Sequence, residues 1–265
     1  MIGYDVFEQR YMDYVATFRQ PDGTLPEPMQ RKLEHTMEVV RFAERIASAE
    51  GAGENEYLLC RLAALFHDTA RYLQVALHHT FNDTESKFDH GHEATRIMQE
   101  KEMLAGLPAL ESCAVLTAVE MHNKPWVDFS RMGGIFTAPA KNVRDADKLS
   151  ILRLLTGYIT GEIKFEDSSI FLLKRPDSPE LTPAIVETVL AGKPVLYKDL
   201  NTINDFKISL FAWCRDLNYA ESARMAMEFA FYDKIRENLP EDPAVDKIYT
   251  NAMETLRCLS LKSAN

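Results

Sequence analysis

The chain of 265 residues is 46% hydrophobic and 26% charged, an ordinary globular composition with enough apolar material for a substantial core. Its formal net charge of −10 argues against a broad nucleic-acid surface, because sequence-independent binding to a polyphosphate is supplied mainly by clustered Lys and Arg. No stretch of about 18 apolar residues occurs, and MIGYDVFEQRYMDYV at the N-terminus has no basic flank leading into an apolar run, so neither a membrane segment nor a secretory leader is expected and the protein is placed in the cytoplasm.

Apolar residues recur at helical spacing almost throughout, and alternating β-branched runs bounded by tight-turn dipeptides are nearly absent, so the fold class is all-α. In chain order the periodicity predicts helices over 4–18, 29–50, 54–69, 90–105, 109–122, 144–160, 182–190, 198–215, 219–236 and 243–258. Loops fall where Pro and Gly collect: 21–28, 51–53, 123–134 and 174–183. No repeat or Ser/Gly linker divides the chain. The stretch 161–183 is the one plausible internal boundary, and the expectation is a single domain over 1–265, with a core at about 29–160 and a C-terminal helical extension over 161–265 packed on it. Cys60, Cys113, Cys214 and Cys258 are widely spaced, with no CxxC pair, and read as reduced core thiols.

Chemistry enters through polar residues that continue apolar stripes. His35 stands one turn before Val39 on the stripe Val39, Phe42, Ala43 and Ile46. The apolar helix LLCRLAALFHD ends in His67 and Asp68, two polar groups closing a segment that otherwise has to be buried. His90 opens a helix whose inward positions are Ala94, Ile97 and Met98. His122 ends one with the stripe Val115, Ala118 and Val119, and Asp147 begins a stripe of Ile151, Leu154 and Tyr158. Any one of these side chains has a structural explanation, such as a capped carbonyl or a helix-dipole carboxylate. Together they are economically explained by metal coordination, which removes several burial penalties at once. Mixed imidazole and carboxylate ligands suit Mn, Fe, Co, Ni or Zn.

These residues resemble the HD superfamily of metal-dependent phosphohydrolases, in which a first His, a His-Asp doublet, two further His and a final Asp follow in order. FHDTARYLQ from Phe66 to Gln74, TFNDTESKFDH from Thr80 to His90, MHNKP from Met121 to Pro125 and VRDADKLSIL from Val143 to Leu152 are similar to segments of a bacterial branch of largely uncharacterised HD-domain proteins. Thr69 and Ala70 depart from the usual Ile-Gly, Ala94 from a frequent Gly, and Ser150 from a frequent Asp. The C-terminal segment from Leu200 through Pro240 is also similar to the tail of that branch. The resemblance implies an all-α HD-domain helical bundle with additional C-terminal helices. It implies His35, His67, Asp68 and Asp147 around one divalent ion and His90 with His122 at a second, Asp68 bridging, with Mg joining the metals named above. It favours His90 over His92 and Asp147 over Asp145.

The activity implied is hydrolysis of a small phosphorylated metabolite or nucleotide, the ions binding phosphate oxygens and bringing the pKa of a shared water toward about 7. Besides Asp68, Arg71 and Lys124 are candidates to clamp phosphate, one as a planar fork and the other as a point charge. Lys148 is as readily a structural ion-pair partner, and Arg144 with Asp145 reads as a helix-start charge pair. His78 and His79 read as loop or surface groups, while Trp126 and Phe129 are candidates for a cleft wall. Alternatives of a different class are a di-iron oxygenase built on the same ligands and a non-enzymatic ligand-binding module. Nothing in the sequence fixes an oligomeric state or a substrate.

Overall fold

Helices account for all the regular structure among the described residues, which are 2–163 and 175–262 of the computed structural model. The contacts divide the chain into two compact units, Met1–Asp147 and Lys148–Asn265, with the division inside a helix rather than in the 161–183 stretch. Residues 164–174 of that stretch lie outside the described residues.

The first unit is organised around α3 (Glu54–Phe66). Leu59, Cys60 and every residue from Leu62 to Phe66 are buried, and a helix that is apolar all round has to lie inside a bundle. It packs against α1 (Tyr4–Ala16), α2 (Glu27–Ala49) and α7 (Ala109–Met121). On α2 the buried face carries Val39, Phe42, Ala43 and Ile46, as the stripe predicts. Helix α4 (Thr69–His78) follows α3 after a two-residue break at His67 and Asp68, and α5 (Asp83–Ser86) is a single short turn. Helix α6 (His90–Glu100) packs on α4 and α7. Helix α8 (Thr137–Ile159) carries the division between Asp147 and Lys148.

Gly91 sets the approach of α6 to α7. A Cβ there would lie 2.6 Å from Asn123 Oδ1 and 3.0 Å from the Glu120 carbonyl oxygen, so the two helices meet at a distance only glycine allows.

In the second unit α9 (Pro183–Leu190), α10 (Ile203–Leu210), α11 (Ala220–Glu228), α12 (Phe231–Glu237) and α13 (Pro243–Ser260) follow in order. Helix α13 contacts α9, α11 and α12. Helix α10 begins in a capping box formed by Thr202 and Asp205. The fully buried Asp205 carboxylate also accepts from the Thr182 backbone N–H and hydroxyl, both at 2.7 Å, which pins the start of α9 to the start of α10.

Several expectations need correction. The segment after the doublet, which beyond Thr69 lies outside every predicted helix, is α4. Helix α8 begins at Thr137, seven residues earlier than its apolar period suggests. The predicted 219–236 helix is broken at Ala230, which adopts φ 52°, and that over 198–215 is α10 flanked by 3-10 turns at Tyr197–Asp199 and Phe211–Asp216. Past the division, α8 buries Leu149, Leu152 and Leu155, whereas Leu154 is exposed, so the stripe drawn through Ile151, Leu154 and Tyr158 follows the wrong face. All four cysteines are free thiols, but Cys113 and Cys258 are exposed and only Cys60 and Cys214 belong to the core.

Candidate metal centre

The helix ends of the first unit bring the predicted side chains together. His67 is the residue closing α3, and Asp68 at φ −103°, ψ 17° opens α4, so the doublet sits in the joint between two helices. His90 is the first residue of α6 and His122 closes α7. His35 reaches the same point from the middle of α2, and Asp147 from the middle of α8. Side chains at helix ends project beyond the packed cylinder, and three ends converging leave room for polar groups inside an apolar bundle.

Two triads result, one of His35, His67 and Asp68, the other of Asp68, His90 and His122. Asp68 is common to both and divides its oxygens between them. Its Oδ2 lies 3.3 Å from His67 Nε2 and 3.6 Å from His35 Nε2, while its Oδ1 lies 3.7 Å from His90 Nε2 and 3.9 Å from His122 Nε2. Asp147 joins the first group, with Oδ1 3.1 Å from His35 Nε2 and 3.7 Å from His67 Nε2. All six predicted ligands are therefore in one cluster. His92 is exposed beside Glu120 and Asp145 is buried, while His90 and Asp147 lie within the cluster.

Hydrogen bonding on the far side of each ring decides what the near side offers. His67 Nδ1 donates to the Ala64 carbonyl at 2.7 Å and His122 Nδ1 to the Val119 carbonyl at 2.6 Å. His90 Nδ1 donates to Asp83. A carbonyl can only accept, so these bonds fix the proton on Nδ1 and leave Nε2 of the neutral ring as a bare lone pair. His90 Nε2 and His122 Nε2 then face each other at 3.0 Å with Asp68 Oδ1 beside them, three acceptors and no donor. His67 Nε2 is likewise buried without a well-formed hydrogen bond. Acceptors converging in a dry interior demand a cation, and the residues present fit a metal site.

The electrostatics favour a neutral ring at three of the four histidines. Burial pushes the pKa of His35, His90 and His122 below the ordinary imidazole value, that of His122 furthest, with neighbouring His90 and His67 adding to it. Burial also opposes protonation of His67, but the Asp68 and Asp147 carboxylates outweigh it and raise its pKa. Both carboxyls would be raised by burial. Instead Lys32, His67 and Arg71 hold Asp68 well below the carboxylate range, and the hydrogen bond from His35 with the nearby His67 does the same for Asp147. The two carboxylates therefore stay ionised and the His35, His90 and His122 rings neutral, whereas His67 is drawn toward its charged form.

Around this cluster the cations sort by what they already hold. Arg71 Nη1 donates to Gln74 Oε1 at 2.6 Å, the Phe81 carbonyl at 2.6 Å and Asp83 Oδ1 at 2.7 Å, and its Nε stands 3.4 Å from Asp68 Oδ1. Lys124 pairs with Asp89 in a cleft of about 380 Å³ that also includes Asp83, Lys87 and Asn123, on the Nδ1 side of His90. Lys148 pairs with Asp216 at 2.8 Å. Arg144 is no helix-start pair: it lies inside α8, 2% exposed, and its Nη1 donates to the carbonyls of Met121, His122 and Lys124. It thereby caps the C-terminus of α7 and fixes the backbone that presents His122.

Sequence reasoning missed Lys32, which pairs with Asp68 Oδ2 and stands 5.6 Å from the centre of the Phe81 ring. A signal was available, since Lys32 precedes His35 by three residues and shares its helix face. It also missed Asp83. His78 and His79 are exposed, as expected. Trp126 is 74% exposed, and Phe129 packs on Ala63, Ala118, Ala140 and Val143, so neither lines the cluster.

No helix is long and apolar enough to cross a membrane among the described residues. No curated protein and no solved structure matches the chain. Residues 33–152, a segment that begins just before His35 and ends just after Asp147, match the family model described as the HD domain. Ligand order and converging geometry agree with that match, so residues 33–152 are similar to the HD domain, whose members are typically metal-dependent hydrolases.

Proposed function

We propose that the protein is a metal-dependent phosphohydrolase acting on a small phosphorylated metabolite or nucleotide through a dinuclear centre. The observation that carries this reading is Asp68, whose two oxygens each face a separate set of imidazole Nε2 atoms. One carboxylate shared between two acceptor groups is the arrangement a bridging ligand needs, and paired ions suit phosphoryl chemistry. Bound divalent ions supply Lewis acidity there, acidifying water and drawing charge off phosphate oxygens.

The chain's own residues supply the rest. Asp68 and Asp147 stay ionised and hold the charge balance, while His35, His67, His90 and His122 present Nε2 inward. Lys32 faces the cluster through its ion pair with Asp68 and is the side chain best placed to meet substrate phosphate. Arg71 is already committed through Nη1, so its part is to orient Asp68 and add positive charge beside it. Lys124 would reach substrate only by leaving Asp89.

The test is elemental analysis of the purified full chain followed by a metal-by-substrate activity matrix over monoesters, diesters and pyrophosphates. Two ions per chain are expected, with turnover restored by a divalent metal and lost in His67→Ala and Asp68→Ala proteins that remain helical by circular dichroism. Fewer than two ions per chain after reconstitution sinks the dinuclear reading. An iron-dependent absorption band without phosphatase activity would point instead to oxygen chemistry, and an inert protein to a binding module.

A further inference from the structure

The segment between α4 and α6 buries no apolar side chain on its short helix α5. It is held instead by a polar network centred on Asp83. Asp83 Oδ1 accepts from Arg71 Nη1 at 2.7 Å and from Gln74 Nε2 at 3.0 Å, while Oδ2 accepts from His90 Nδ1. Gln74 Nε2 also donates to Ser86 Oγ at 2.9 Å, Arg71 Nη1 to the Phe81 carbonyl, and Asn82 caps α5 through the Thr84 and Glu85 amides. Arg71 and Gln74 lie on α4, three and six residues beyond the Asp68 that both triads share. Asp83 is thus the point where α4, the α5 turn and the first residue of α6 are tied together.

The three inward-facing rings with a fixed Nδ1 proton are not held alike. His67 and His122 donate to carbonyls of their own helices, three residues earlier, so the main chain sets their orientation. His90, at the start of α6, has no preceding turn to donate into, and side chains from other segments do the work: the Asp83 carboxylate accepts from Nδ1, and the Asn123 amide stands 3.3 Å from the same nitrogen. Take that carboxylate away and the Asn123 amide nitrogen is left facing Nδ1, a donor that favours moving the His90 proton to Nε2, which would close the lone pair facing His122 and Asp68. Nothing in the His35, His67 and Asp147 group touches Asp83 directly among the described contacts.

We propose that Asp83 is a positioning residue for one half of the centre, setting the orientation and tautomer of His90 so that the Asp68, His90 and His122 triad takes an ion. This rests on the dinuclear reading above. Its consequence is asymmetric, in that one ion site depends on the α5 turn and the other does not.

The experiment is calorimetric titration of the chelator-stripped full chain with Mn²⁺, for the unaltered protein, Asp83→Ala and the more conservative Asp83→Asn. The unaltered protein is expected to take two ions. In Asp83→Ala one affinity should fall about 10- to 100-fold, the range for loss of a partner behind a metal-binding imidazole, with the other within about twofold. Asp83→Asn, which keeps an acceptor oxygen, should lie between them. Nitrogen-15 imidazole spectra of the ion-free proteins should show His90 protonated on Nδ1 in the unaltered chain and mixed in Asp83→Ala. Unchanged affinities, or equal loss at both sites with a lowered melting temperature, overturn the proposal and leave the dinuclear reading standing. Uptake of fewer than two ions by the unaltered protein overturns that reading, and this one with it.

Discussion

Arg144 offers a stringent test of how the centre is built. Replacing it with Met keeps the length of the stem and removes the guanidinium, so the carbonyls of Met121, His122 and Lys124 lose their donor. At 2% exposure of Arg144, water has little access to take over. An acceptor left unsatisfied inside a protein costs about 1–3 kcal/mol, and the buried charge that disappears returns part of it. Two carbonyls stranded and one rehydrated give a net loss of about 3 kcal/mol, or about 6–12 °C in Tm for a chain of this size. Arg144→Lys, which keeps a charge but not the fork, should lose about half as much. Urea unfolding followed by circular dichroism measures the loss from the shift in midpoint at unchanged slope. Because the freed backbone carries His122, Mn²⁺ binding should weaken along with stability. A loss below about 1 kcal/mol in the Met protein would refute the claim that this arginine caps α7.

Other consequences are as specific. Gly91→Ala should push α6 off α7 by the clash with Asn123 and the Glu120 carbonyl, costing about 1–3 kcal/mol in the range for overpacking and weakening ion binding at His90 and His122; an unchanged urea midpoint would contradict the close approach. Lys32→Met should lower kcat/KM by about 10- to 150-fold, the equivalent of one charge-assisted contact worth about 1.5–3 kcal/mol, without changing the number of ions bound; a loss of bound metal instead would assign Lys32 to the cage. Ion-free protein should lose stability as pH falls below 6.5, since His35, His90 and His122 have depressed native values and the unfolded chain takes up their protons first. His67, raised in the native state, acts in the opposite sense only above pH 6.5 and is protonated in both states below it, so the net fall should persist to about pH 5; stability that rises over that window would refute the depressed values of the three rings.

Much of this was legible in the sequence because burial and period agree there. The stripes Val39, Phe42, Ala43 and Ile46 on α2 and Val115, Ala118 and Val119 on α7 lie in the core, and the histidines that continue them meet. Helix α4 was hidden because its buried face is Thr69, Ala70, Tyr72 and Gln74, small or polar residues held by hydrogen bonds, such as that from the Tyr11 hydroxyl region to Tyr72 at 2.9 Å. Hydropathy does not register such a face. The early start of α8 was masked by Gly133, Gly134 and Pro139, although Pro within a first turn forfeits no helical hydrogen bond. Asp83 and Arg144 act through tertiary partners 7 and more than 20 residues away, and no local period encodes such a pairing.

The sharing of Asp68 has a consequence for how the centre fills. A first cation at either triad spends half of the charge that would draw the second, so the two occupancies compete electrostatically. The same first cation also locks the carboxylate in the orientation the other triad requires, removing a freedom the second arrival would otherwise have to freeze. Filling should therefore be stepwise, one tight association and one weaker, with the weaker step decided by whichever imidazoles are least firmly held.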